Sequence, residues 1–137
     1  MKKVVFFFWM IIVFVSCTNN SNTNNYSTPE TAFDAARQFI ETTNKGKFDD
    51  ASLMILKAAN NDTIMNKLAR AYNALSNGQK QDLQAASINI HGIEEISENS
   101  SIINYSNSFD KKVHKLKVVN QSGKWLIDIA YTFNGNL

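Results

Sequence analysis

Two hydrophobic rhythms divide this chain. From Ala32 to Leu83 apolar residues recur every three or four positions, and from Ile88 to Tyr131 they alternate with polar ones. The first rhythm predicts helices and the second predicts strands. Thr28 reads as an N-cap with Pro29 at the first helical position, followed by an apolar stripe of Ala32, Phe33, Ala36, Phe39, Ile40 and Thr43. Asn44-Lys45-Gly46 should end that helix, with Gly46 placed for a left-handed cap. Asp49 can cap a second helix containing Ala51, Leu53, Met54 and Ile55, which Asn60-Asn61-Asp62 breaks. A third carries Ile64, Met65, Leu68, Tyr72 and Leu75 on one side, and Ser76 caps a last helical stretch through Leu83 to Ala86.

The alternating half predicts a meander. Ile88 and Ile90 lead into Ile93 and Ile96, with Gly92 as a bulge that shifts the phase by one residue. Ile102, Ile103 and Tyr105 form a second strand, Asn107 to Asp110 a turn, Val113 to Val119 a third strand and Asn120 to Gly123 a hairpin loop. Trp125, Ile127, Ile129 and Tyr131 should face the core, with Lys124 and Asp128 turned away. Helices first and strands afterwards mean an α+β fold, with the long first helix covering one face of an antiparallel sheet.

The N-terminus adds a location. Met1-Lys2-Lys3 precedes an apolar run from Val4 to Val15, then Ser16 and Cys17, the only cysteine of the chain. Those twelve residues would rise about 18 Å as a helix, short of a bilayer core roughly 30 Å thick. The run suits a signal peptide, and Phe14-Val15-Ser16-Cys17 has the layout of a lipoprotein cleavage box. The expectation is a signal over 1–16, acylation of Cys17, a polar Asn-rich tether to position 28, and one domain over 29–137. Acyl chains on Cys17 would anchor the protein in the cell envelope. No acidic run follows Cys17, which points to an outer-membrane anchor facing the periplasm.

Processing also changes the charge. Of 14 basic and 12 acidic residues, Lys2 and Lys3 leave with the signal, so the mature chain balances. That argues against nucleic acid as a partner. Lys111, Lys112, Lys115 and Lys117 are the densest basic cluster and read as a solvated strand face and turn.

The order and spacing of several segments resemble the small bacterial lipoproteins of the nuclear-transport-factor-2-like (cystatin-like) superfamily. They are Thr28-Pro29-Glu30 before the first helix, Asn44 to Ala51 at the second, Leu75 to Lys80 before the sheet, and Gly123-Lys124-Trp125 opening the last strand. The resemblance implies a cone-like roll with helices on a curved meander. It brings no catalytic residues. It also implies dimer contacts through the outer face of the sheet; here that face would carry Lys115 and Lys117, or His114 with Leu116 and Val118, depending on strand phase, a mixed surface that suits a weak or small interface.

Candidate chemistry is sparse. His91 should face solvent, while His114 shares a face with Leu116 and Val118. With Glu94 or Glu95 they lack the spacing of a metal site, so no metal or cofactor is expected. Related cones house isomerases and hydratases that pair a carboxylate base with an acid. Here Tyr72, Tyr105, Tyr131 and Asp128 are the candidates for such chemistry, although Asp128 should point outward. The expectation is therefore non-catalytic binding of a small apolar ligand or an envelope protein, with acid–base catalysis as the alternative. A pocket with an inward carboxylate would favour the enzyme.

Overall fold

The structure is a computed structural model that describes residues 27–58 and 60–133. The apolar run, Cys17 and the tether through position 26 lie outside the described residues. The fold is α+β. Four helices precede an open antiparallel sheet in the order β1-β2-β3-β4, and a short helix follows it.

Helix α1 spans Ala32–Asn44, so it starts three residues later than the sequence predicts. Its N-cap is Thr31, whose hydroxyl accepts from the Asp34 amide at 3.1 Å and donates to Asp34 Oδ2 at 2.7 Å. This reciprocal cap outcompetes Thr28 and leaves Pro29 outside the helix. The Glu30 carbonyl is held instead by the Trp125 indole N–H at 3.2 Å. Ala32, Ala35, Ala36, Phe39 and Ile40 are buried, whereas Phe33 and Thr43 are half-buried. Gly46 ends the turn at φ +73°, and a Cβ there would lie 2.5 Å from the Tyr72 ring. Glycine is thus required twice, for its backbone angle and for the approach of α3.

The second helix is the largest departure from the periodic reading. α2 covers only Phe48–Ser52, with Asp49 inside its first turn rather than capping it. Leu53 is 77 % exposed, and Ile55 forms a parallel bridge with Ile127. The Leu56 amide donates to the Ile127 carbonyl at 2.8 Å and the Ile127 amide to the Met54 carbonyl at 2.9 Å. Pairing with an open sheet edge satisfies four backbone groups through two hydrogen bonds and buries Ile55, which a further helical turn would not do. α3 (Asn61–Asn73) buries Ile64 and Met65 and half-buries Leu68 and Tyr72. α4 (Asn77–Gln84) starts at Ser76 with a full capping box, Gln79 answering Ser76.

The sheet comprises β1 (Ile88–Ser97), β2 (Ser100–Asn107), β3 (Val113–Gln121) and β4 (Lys124–Asp128). Its inner face aligns Ile90 with Tyr105, Ile103 with Leu116, and Val118 with Ile127. These side chains join α1 in one core, against which Trp125 packs half-buried. The register breaks between Ile90 and Gly92, where the sequence places a bulge. A second break near Ile96 leaves that residue 58 % exposed on the free edge. Bulges and the acidic Glu94, Glu95 and Glu98 blunt this edge against pairing. The β3–β4 turn has Ser122 and Gly123 at φ 53° and 81°, the left-handed pair a two-residue hairpin requires.

β4 stops at Asp128, and Ile129–Phe133 form helix α5 instead of continuing the strand. The Ala130 amide is taken by the Asn61 side chain, and the Thr132 hydroxyl donates to the Lys115 carbonyl. Those bonds draw the chain out of the ladder. Ile129 stays buried, but Tyr131 leaves the expected inner face and lies 5.5 Å from Lys117 Nζ. Lys117 also pairs with Asp128 at 3.7 Å, so Asp128 is turned from the core as expected.

Candidate functional site

The helices and the inner sheet face do not close on one another everywhere. Between α1, α3, α4 and the adjoining ends of β2 and β3 lies a cleft of about 380 Å³. Phe39, Phe48, Leu68, Leu75 and Leu116 supply its apolar walls. Tyr72 lines it too, held by an edge-on contact with Phe48 and by the Gln84 amide, which donates to its hydroxyl at 2.9 Å.

The polar corner of this cleft is built by the β2–β3 turn. Asn107 is buried, and its Oδ1 accepts from the amides of Phe109 and Asp110 at 3.0 and 2.9 Å. That fixes Asp110, whose Oδ1 accepts from the Lys112 amide at 3.0 Å. Its Oδ2 lies 2.8 Å from His114 Nε2. The imidazole is tilted against the Tyr105 ring, with centroids 5.2 Å apart. Burial, with a smaller contribution from the Asp110 charge, pushes the Tyr105 phenol up to about 12. A tyrosine is protonated in the neutral range in any case, and this shift extends its role as a hydrogen-bond donor into more alkaline solution.

An Asp–His pair beside a protonated Tyr can move a proton or orient a hydrogen-bonding group. The expected ingredients were Tyr72, Tyr105, Tyr131 and Asp128, and the structure brings only Tyr72 and Tyr105 of these to the cleft. Its carboxylate is Asp110, which the sequence places in a turn and which completes the site by reaching His114 four residues on. An acid closing a turn, four residues before a strand histidine, is the signal that could have found it. The cleft thus carries a carboxylate at its solvent-exposed rim, paired with His114, where the strand phases leave mainly tyrosines and aliphatics.

The other candidates scatter. His91 is exposed on the opposite sheet face from His114, 2.8 Å from the Ser106 hydroxyl. Glu94 accepts from the Asn104 amide at 2.7 Å, and Glu95 flanks a shallow cleft beside Trp125. Among the described residues no three His, Cys, Asp or Glu side chains gather as a metal site. Lys111 and Lys112 are exposed in the turn, while Lys115 and Lys117 lie half-buried on strand β3.

No protein-family model matches the chain, and comparison with curated proteins finds no similar one. The cleft has to be interpreted from its own chemistry.

Proposed function

We propose that this is a lipid-anchored envelope protein whose domain binds a small apolar ligand in the cleft. The observation that carries the reading is the cleft itself. It is of ligand size, walled by aromatic and aliphatic side chains, with a few polar groups at one corner. The order of helices before an antiparallel meander supports a nuclear-transport-factor-2-like roll, in which such a cleft would be the mouth of the cone. Ala71 is an exposed α3 residue on the cleft wall, so Ala71→Trp should fill the cavity without disturbing the core. The neutral dye Nile red is expected to bind the wild type at least tenfold more tightly than this variant. Equal affinities would remove the cleft from the reading.

The anchor is carried by the Lys2-Lys3, apolar run and Ser16-Cys17 pattern. Mass spectrometry of the native protein should find an N-terminus at Cys17 bearing acyl chains, and Cys17→Ala should leave the membrane fraction. An unmodified thiol, or another N-terminus, would end the lipoprotein reading. The absence of an acidic run after Cys17 supports the periplasmic side of an outer membrane.

Acid–base catalysis is the second reading, favoured by the Asp110–His114 pair beside Tyr105. In that reading a bound ketone loses an α-proton to His114 while the Tyr105 hydroxyl holds the enolate oxygen. Return of a solvent-exchanged proton to the same carbon completes the cycle. In heavy water, 2-decanone should then gain α-deuterium above the buffer rate, and His114→Gln should slow this at least tenfold. No enhancement by the wild type would leave binding alone.

A further inference from the structure

The polar groups of the cleft differ in what they have left to offer. Both Asp110 oxygens are engaged, one by His114 Nε2 and one by the Lys112 amide. Each keeps a lone pair, so what disfavours a ligand ammonium group here is the loss of its own hydration against the apolar walls. The negative charge of Asp110 nevertheless lies close enough to act on the buried Tyr105 phenol, and a ligand carboxylate held by that phenol would meet the same charge at the rim of the cleft. In contrast, the Asn44 amide, the Tyr105 hydroxyl and His114 Nδ1 make no hydrogen bond among the described residues. None of the three is a sealed orphan, since Ser100 Oγ is the fully buried side-chain atom without a partner among those residues. All three residues line the cleft. Together they offer hydrogen-bond donors and acceptors against apolar walls.

We infer that the cleft selects an uncharged amphipathic molecule, an apolar chain or ring system carrying a hydroxyl or carbonyl, and rejects the corresponding carboxylate. Asn44, Tyr105 and His114 hold the polar end, and Phe39, Leu68 and Leu116 receive the apolar body. The polar end discriminates because an analogue lacking it leaves these groups facing hydrocarbon. The inference rests on the cleft being the ligand site, as proposed above.

The test is displacement of Nile red from the full processed protein at pH 8 by 1-decanol, decanoate and decylammonium, which share one chain and differ in head group. Decanol is expected to compete at concentrations at least fivefold lower than either ion. Asp110→Asn should narrow the gap between decanol and decanoate to less than twofold. Because Asp110→Asn also disturbs the turn, Asn44→Leu supplies an independent variant that alters no charge, and it should weaken decanol about fivefold. Decanoate or decylammonium binding as tightly as decanol would overturn the inference, as would decanol affinity unchanged by Asn44→Leu. In those cases the cleft reading still stands if Ala71→Trp abolishes dye binding. Failure of the wild type to bind Nile red at all would overturn the cleft reading first, and this inference with it.

Discussion

Asn61→Ala is expected to destabilise the domain by about 2–4 kcal/mol, measured as the loss of unfolding free energy in urea. Asn61 is fully buried at the start of α3. Its amide nitrogen donates to the Leu56 carbonyl and its oxygen accepts from the Ala130 amide, both at 2.8 Å. One side chain thus ties the segment along the β4 edge to the point where β4 gives way to α5. Truncation removes a partner from two backbone groups at once, and each such loss costs roughly 1–3 kcal/mol. Asn61→Asp should be at least as harmful, since it keeps the acceptor, loses the donor and buries a charge. A cost below about 1 kcal/mol for Asn61→Ala would mean that water replaces both bonds.

Ile127→Ala is the second large effect, at about 2–5 kcal/mol in the same measurement. Ile127 is fully buried, opposite Val118 on β3 and bridged through its backbone to Ile55. Its side chain belongs to the core shared with Ile40, Ile103 and Leu116. The cost has two parts, the lost transfer of three methylene-sized groups and the cavity they leave. Ile127→Val, which removes one carbon, should cost about 0.5–1.5 kcal/mol. A cost for Ile127→Ala below half a kilocalorie would mean that the strand phase is inverted.

Much of the fold is legible in local pattern. The α1 stripe, the Ser76 cap, the Gly92 bulge and the β3–β4 turn each depend on residues within a few positions of one another. The same holds for the strand phases that turn His91 and Asp128 away from the core. Where the reading departs from the structure, a distant partner intervenes. Leu53, Met54 and Ile55 have helical spacing, yet the unpaired edge of β4 draws Met54 to Leu56 into extended pairing. Tyr131 continues a strand alternation, but bonds from Asn61 and Thr132 bend the chain into α5. Thr28 is a sound cap by type, and Thr31 displaced it because Asp34 could answer.

The candidate site divides in the same way. Alternation puts His114 on one face with Leu116 and Val118, because period two decides which residues share a side of a sheet, but pairing with β2 and packing under α1 decide that this side is the inner one. That Asp110 reaches His114, and that α1, α3 and α4 stop short of filling the space above them, follow from how the layers meet. By itself, the sequence determined the α+β order, the alternation within each strand, the Ser76 cap, the hairpin turns and the signal-like pattern ending at Cys17. Tertiary structure alone decided the edge strand at Ile55, the bridging role of Asn61, the turn into α5 and the polar corner of the cleft. Backbone propensity and periodicity act over a few residues. Satisfaction of buried polar groups and sheet edges is settled by whichever partners the fold brings together across tens of residues.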